Sequence, residues 1–271
     1  MIDVRNSILI HDFDLNSDVI TKRALKLLKQ IQKMTCGVPL SMVGNSQLDG
    51  SYPIWNQNLH ETNVISIGVG NNIIFDKKLA LLGAKVYMFD HTIAPKIPNK
   101  LKKSIKYFPY GIQGNRHIDQ CLSLTQILTL CKLRKSKNTI LKIDCEGVEW
   151  DVFLDNSTDI LASFDQICVE FHNLDAISSK DLSEKYLKVF KKLDTIFVVT
   201  YLSPNNFMPI LKLKNGIVWP FTLEMHLLRK DHFKSLKKGF VTKNEPNALS
   251  YQSSNWHLGK KQNLSQWFGN N

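Results

Sequence analysis

The stretch that decides the fold is residues 64–90, "VISIGVGNNIIFDKKLALLGAKVYMFD". An apolar run ends in a glycine turn at Gly68 and Gly70, a helical pattern follows over residues 73–82, and a second apolar run stops at Asp90. Near-continuous apolar runs separated by helices are typical of parallel strands that are buried on both faces. This unit therefore predicts a strand, a helix and a strand at the centre of an α/β sheet.

The same alternation continues toward the C-terminus. Further strands are predicted at "IKYFPYGIQG" (105–114), "TILKID" (139–144), "QICVEFH" (166–172), "TIFVVTYL" (195–202) and "FTLEMHLL" (221–228). One intervening helix begins after Ser123, with Gln126 at the spacing of a capping box, and another places Tyr186 and Val189 on one face. The pattern predicts an α/β fold with a Rossmann-like, doubly wound and mostly parallel sheet.

Three segments are predicted along the chain. Residues 1–60 form an N-terminal helical extension that packs on the core, with a helix over residues 17–36 that ends at a glycine. Residues 61–232 form the Rossmann-like domain, and residues 233–271 form a polar, basic tail.

The charge of the chain suits an anionic partner but does not identify one. The net charge is +11 and the isoelectric point is about 9.3. Lysines are dispersed, however, and no basic stripe is interleaved with aromatic residues, as a nucleic-acid groove requires. We therefore expect no specific nucleic-acid partner.

Cysteine usage and hydropathy predict a cytoplasmic protein. The five cysteines have no paired spacing, which argues against a disulfide framework and a zinc knuckle. The start of the chain lacks the basic and apolar regions of a signal peptide. No apolar stretch approaches the ~20 residues that a membrane helix needs, so no transmembrane segment is predicted.

The glycine turn and the acid that ends the next strand predict a cofactor site. Gly68 and Gly70 would let the backbone approach a ligand, and Asp90 follows at the distance where an acidic side chain accepts the hydroxyl groups of an adenosine ribose. This pattern fits two cofactors, a nicotinamide dinucleotide and S-adenosylmethionine.

Two features favour S-adenosylmethionine. The dinucleotide fingerprint requires a third small residue at position 73, where this chain has Ile73. Asp144, Glu146 and Glu149 would repel a pyrophosphate, whereas nearby carboxylates would stabilise a sulfonium cation.

Polar residues end the two strands that lead to the reaction centre. Asp144 and Glu146 follow one strand, and Glu170 and His172 end the next. The carboxyl ends of parallel strands share one edge of the sheet, so these side chains are expected to converge. His172 is the candidate general base, because imidazole titrates near neutral pH. A divalent metal held by these four residues is a second, less favoured hypothesis.

Several stretches together resemble the FkbM-type S-adenosylmethionine-dependent methyltransferases. They are "LDGSYPIW" (48–55), residues 64–90, "YGIQG" (110–114), "LKIDCEGVEW" (141–150), "CVEFH" (168–172) and "WPFTLEM" (219–225). The resemblance implies a class I methyltransferase that acts on a hydroxyl group of a sugar, polyketide or lipid-linked glycan.

The resemblance also implies roles for individual residues. Gly111 and Asp144 join the cofactor-binding set, and Asp49 and Tyr52 bind the acceptor. The chain has Gly50, Ser51 and Tyr52 where the family more usually has two glycines and an aromatic residue.

Residues of the strand at 221–228 complete the predicted site. Glu224 and His226 share one face of this alternating strand, and they either line the acceptor cleft or face solvent.

Two other functions remain as alternatives. The first is an RNA-binding protein or an RNA methyltransferase. Amino-directed enzymes that act on bases usually present Asn or Asp with two prolines and an aromatic residue where this chain has "DCEG", which argues against this alternative. Cys145 would suit the nucleophile of an RNA cytosine methyltransferase, but a lone cysteine at a strand end is more often a packing residue. The second is a domain that binds the cofactor without turnover.

Overall fold

A computed structural model describes residues 18–44, 50–55, 59–134, 138–205, 208–213 and 217–232. The helices of these ranges are α1 (Asp18–Met34), α2 (Ile74–Leu81), α3 (Leu124–Leu130), α4 (Glu149–Asp155), α5 (Thr158–Leu161) and α6 (Lys180–Ile196). The strands are β1 (Ser41–Val43), β2 (Tyr52–Ile54), β3 (Asn63–Ile67), β4 (Lys85–Phe89), β5 (Ile105–Phe108), β6 (Gly111–Gln113), β7 (Cys121–Ser123), β8 (Thr139–Ile143), β9 (Gln166–Phe171), β10 (Phe197–Pro204), β11 (Ile210–Lys212), β12 (Val218–Pro220) and β13 (Leu223–Arg229).

A seven-stranded, mostly parallel sheet forms the centre of this mixed α/β structure. Its strand order is β10-β13-β9-β8-β3-β4-β5, and only β13 runs against the others. The chain moves outward from β3 through β4 to β5 and then returns to β8 on the other side of β3. This reversal makes a topological switch point between β3 and β8, where open α/β sheets bind ligands. The architecture is compatible with a Rossmann-like fold.

Apolar side chains leave the central strands toward both faces. Ile65 and Leu141 join a core that includes residues of α1, α3, α4 and α6. Val64 and Ile140, one residue earlier on each strand, join a second core with α2, β1 and β2. Burial on both faces explains why the sequences of these strands are almost continuously apolar.

Helix boundaries largely follow the sequence pattern. The capping box at Ser123 and Gln126 is present at the start of α3, as predicted. Helix α6 buries Tyr186 and Val189, as predicted, whereas Leu182 near its start is 36% exposed. Helix α1 ends at Met34, before the glycine expected to end it, and its buried residues belong to the same core as α6.

One predicted strand is two strands in the structure. The run over residues 105–114 ends as β5 at Phe108, and the chain resumes as β6 at Gly111, which pairs with β7 instead of the central sheet. Pro109 lies at the break, and proline removes a backbone donor from a sheet.

Within the described ranges, we find no helix that is both long and apolar enough to cross a membrane. The predicted tail over residues 233–271 lies outside the described residues.

Candidate functional site

A cavity of about 640 Å³ lies at the carboxyl ends of β3, β4 and β8. Residues from the loops after all three strands line it, among them Gly68, Gly70, Asp90 and Asp144. Gly111 of β6 closes another side of the cavity. The volume is within the range of small-molecule and cofactor sites, about 300–1,000 Å³. The structure thus brings all five predicted cofactor-binding residues to one cavity.

The two glycines of the β3 turn serve different purposes. Both have positive φ angles, 72° at Gly68 and 59° at Gly70, which favour glycine. A Cβ atom at Gly68 would lie 1.6 Å from the backbone carbonyl oxygen of Asp144, whereas a Cβ atom at Gly70 would meet nothing within 4 Å. Gly68 therefore permits the loops after β3 and β8 to pack together, and Gly70 leaves open space.

Asp90 is a buried and well-held anion at the end of β4. Its Oδ1 atom accepts hydrogen bonds from the backbone and hydroxyl of Thr92 and from the backbone of Ile93, and its Oδ2 atom accepts one from the backbone of Gly70. Burial raises the pKa of this carboxyl, but these hydrogen bonds outweigh the effect, and the pKa is lowered overall. The carboxylate is therefore ionised and oriented, and Oδ2 keeps the greater capacity to accept from a ligand.

An acidic residue that the sequence analysis missed lines the same cavity. Asp76 lies in the first turn of α2, is 3% exposed, and has its pKa raised by burial. A helix N-terminus ordinarily attracts phosphate. A carboxyl in that turn disfavours a pyrophosphate at this position.

Asp144 connects the cavity to the next strand end. Its Oδ2 atom accepts a hydrogen bond from the Tyr52 hydroxyl at 2.9 Å and lies 3.3 Å from Lys142 Nζ. Its Oδ1 atom lies 3.8 Å from Nε2 of His172. Tyr52, which the sequence predicted to bind the acceptor, is buried and lines the cavity. Its hydroxyl donates to Asp144 and thereby orients that carboxylate.

Lys142 was not predicted, although a lysine inside an apolar strand is a detectable signal. It is 5% exposed, and its ammonium group donates to backbone carbonyls of the β3 turn, at Ile67 and Gly68, as well as to Asp144. Lys142 thus links the ends of β3 and β8 and compensates part of the charge of Asp144.

The predicted convergence of two strand ends is present. Strands β8 and β9 are parallel neighbours. Nε2 of His172 lies 3.5 Å from Oε1 of Glu170, 3.6 Å from Oε2 of Glu146 and 3.8 Å from Oδ1 of Asp144. Glu170 and His172 are buried, whereas the side chain of Glu146 is 89% exposed.

Glu149 is the member of this cluster with the deepest burial. Its side chain is fully buried, and it accepts hydrogen bonds from the backbone of Cys145 at 2.5 Å and of Gly147 at 2.9 Å. Its Oε1 atom also lies 3.1 Å from Nδ1 of His172. The sequence indicated an acid here but not its role, because the contact depends on how α4 folds back over the end of β9.

These carboxylates determine the charge state of His172. Burial alone would lower the pKa of the ring, but the hydrogen bond and charge of Glu149, followed by the charges of Glu170 and Asp144, raise it to about 9. At neutral pH such a ring already carries its second proton. Without a bound cation the surrounding carboxylates favour the protonated ring, and the role of His172 as general base stays a prediction.

The two predicted residues of β13 lie in different places. Glu224 is partly buried and pairs across the sheet with Glu170. His226 is fully buried and lies neither in the cavity wall nor in solvent, so both expectations for it are wrong. Its Nδ1 atom contacts the Thr200 hydroxyl at 2.5 Å, and its Nε2 atom contacts the side-chain oxygen of Gln166 at 3.1 Å. Strand β10 pairs with β13 in the same sheet. The alternating sequence of β13 does not reveal this neighbour.

Three further residues concern the predicted site and its surroundings. Asp49 lies outside the described residues. Burial and the charge of Glu149 raise the pKa of the Cys145 thiol well above its usual value, which disfavours the thiolate needed for a nucleophile. Asn205, another residue whose role was not predicted, donates to Oε1 of Glu170 at 2.7 Å.

Comparison with known proteins identifies no family. No protein-family profile matches the chain, and no curated protein matches it. A solved structure described as "CmcI-N160 apo-structure" is similar with a TM-score of 0.31 and 13% identity, over 55% of this chain and 58% of that chain. The aligned part thus spans less than two thirds of that chain. Similarity at this level carries no inference about function.

Proposed function

We propose that this chain is an S-adenosylmethionine-dependent methyltransferase that acts on a hydroxyl group of a sugar, a glycan or a related acceptor. The observation that carries the proposal is the single cavity between Asp90 and Asp144. One end has an anion placed to accept ribose hydroxyl groups, and the other has an anion placed to stabilise a positive charge.

The topology supports a methyltransferase over a nicotinamide-dependent enzyme. The common dinucleotide-binding sheet has the strand order 3-2-1-4-5-6, in which the sixth strand lies directly beside the fifth. Here the antiparallel strand β13 is inserted between β9 and β10, so the sheet departs from that order. The buried Ile73 in place of the third glycine, and Asp76 in the first turn of α2, both oppose a bound pyrophosphate.

Different residues of the cavity would bind different parts of the cofactor. Gly70 and Asp90 would hold the ribose, and the apolar side chains of Ile112 and Val148 offer surface to the adenine ring. When bound, S-adenosylmethionine supplies a methyl group on a positively charged sulfur. Asp144 would lie near that charge, and its fixed Oδ2 atom prevents it from turning away.

The strand-end cluster would receive the acceptor hydroxyl. An alcohol becomes a good nucleophile only when its proton is removed, and a placed base typically contributes 10²–10⁴-fold. Asp144 and Glu170, which lie beside His172, are carboxylates that this cluster offers as proton acceptors.

A calorimetric titration tests the cofactor assignment. S-adenosylhomocysteine should bind the full chain, and Asp90→Asn should weaken it about tenfold to hundredfold, since a charge-assisted hydrogen bond is worth about 1.5–3 kcal/mol. Asp159→Asn, which changes an exposed acid of α5, is the matched control and should bind like the wild type. Tighter binding of NADH than of S-adenosylhomocysteine would overturn the proposal.

A further inference from the structure

We propose that Asp144, Glu170 and His172 bind one divalent metal ion, and that Glu149 is the residue that positions His172 for it. Each of the three ligands offers one atom, and these atoms all lie within 4.8 Å of one another. Two of them come from the end of β9, and the third comes from the end of the neighbouring strand β8.

The spacing around His172 is that of ligands rather than of hydrogen-bond partners. His172 is only 6% exposed, and its Nε2 atom lies 3.5–3.8 Å from oxygens of Glu170, Glu146 and Asp144, farther than a normal hydrogen bond. Its nearest carboxylate oxygens in the proposed set are 3.5 Å and 3.8 Å away. Two atoms bonded to one ion at about 2.1 Å can lie at most about 4.2 Å apart. Both distances are within this limit.

Glu149 gives His172 the orientation of a metal ligand. Histidines that bind metals usually donate their other ring N–H to a carboxylate, which fixes the ring and the tautomer. Here Nδ1 lies 3.1 Å from Oε1 of Glu149, and the backbone groups of Cys145 and Gly147 hold that carboxylate in place. Nε2 is thereby directed at Asp144 and Glu170, and a divalent ion bound there would displace the proton that the carboxylates otherwise hold on the ring.

Donors hold both carboxylates, at the oxygen away from His172 in Asp144 and at the oxygen nearest to His172, Oε1, in Glu170. Oδ2 of Asp144 accepts from Tyr52 and Lys142, which leaves Oδ1 toward His172. Glu170 is 4% exposed and accepts from Asn205 at 2.7 Å. A simple ion pair needs no such set of supports on three side chains. Hydrogen bonds from outer residues that orient each ligand toward one common point are instead typical of a metal site.

The ligand set favours a hard divalent cation. Carboxylate oxygens suit Mg²⁺ and Mn²⁺, whereas imidazole suits softer ions such as Zn²⁺, and here two carboxylates stand against one imidazole. Asp144 belongs both to this set and to the cavity wall, so an ion here would lie beside the space assigned to the cofactor. The ion would also lie where the acceptor hydroxyl is expected. This second role rests on the proposed function, whereas the ion site itself does not.

Binding of Mn²⁺ to the full chain, cleared of metal with a chelator and dialysed, tests the inference. Calorimetry should find one Mn²⁺ per chain. Glu170→Gln should weaken it at least about a hundredfold, and Glu149→Gln about tenfold to hundredfold, because it acts only through His172. Glu184→Gln, in an exposed acid of α6, is the control and should leave the affinity unchanged.

Two further readouts keep the result unambiguous. Each variant is checked for a cooperative urea transition, so that loss of binding is not confused with loss of folding. S-adenosylhomocysteine affinity is measured in parallel, and Glu149→Gln should not change it. If Mn²⁺ binds and S-adenosylhomocysteine does not, the proposal of an ion site is supported and the proposal of a methyltransferase is contradicted. No stoichiometric Mn²⁺ binding, or equal binding by the wild type and Glu170→Gln, would overturn the ion site.

Discussion

Two buried histidines of the same sheet, His172 and His226, have opposite surroundings. His172 lies just beyond the end of β9 with carboxylates of Asp144, Glu149 and Glu170 around it, and its pKa is raised to about 9. His226 lies within β13 between the neutral side chains of Thr200 and Gln166, and burial lowers its pKa to about 3.

The difference follows from position in the sheet. Side chains in the middle of β13 and its neighbours are enclosed, and an enclosed charge without a partner is costly, so His226 has neutral partners and stays neutral. Beyond the strand ends, loops from β8 and β9 meet, and backbone N–H groups are free to hold carboxylates. Charge can therefore be concentrated at the ends, where the cavity is, and not in the middle.

The largest expected difference between the two histidines is in metal affinity. His172→Gln should weaken Mn²⁺ binding at least about a hundredfold, because it removes a ligand. His226→Gln should change it less than about twofold, since His226 contacts none of the proposed ligands. Calorimetry on both variants measures the contrast. Equal losses in the two variants would mean that both act through general destabilisation.

The next difference is in the dependence of stability on pH. The folded-state pKa of His226 lies below the unfolded value of about 6.5, so the unfolded chain binds more protons between the two values. The contribution of neutral His226 is fully present above pH about 6.5 and is lost as pH falls toward 3. Between pH 7.5 and 5, the wild type should lose about 2 kcal/mol more unfolding free energy than His226→Gln.

Urea unfolding at these two pH values measures this loss. Subtraction of the values for the variant from those for the wild type removes the contributions of the other titrating groups. Parallel pH dependence in wild type and variant would show that the pKa of His226 is the same in the folded and unfolded chain, in contradiction to its buried, uncharged surroundings.

The sequence predicts those features of the site that depend on strand order. Gly68, Asp90 and Asp144 each follow an apolar run, and the carboxyl ends of parallel strands must share an edge. Their meeting in one cavity needs no knowledge of side-chain packing. The same argument predicts that Glu170 and His172 lie near Asp144.

Features that depend on contacts between distant segments could not be predicted. The burial of His226 requires β10 to pair with β13, and the contact of Tyr52 with Asp144 requires β2 to lie beside the end of β8. Alternation in a strand shows which residues share a face but not what covers that face. The role of Glu149 likewise arises from the fold of one short helix against one strand end.

The central claim is that His172 belongs to a ligand site beside the cavity and that His226 belongs to the core. The most direct measurement is the set of imidazole ¹H–¹⁵N signals of the full chain at constant pH, with His172→Gln and His226→Gln used to assign them. Addition of Mg²⁺ and then of S-adenosylhomocysteine should move the ring signals of His172 and leave those of His226 in place. Unchanged His172 signals at saturating concentrations of both ligands would contradict the claim.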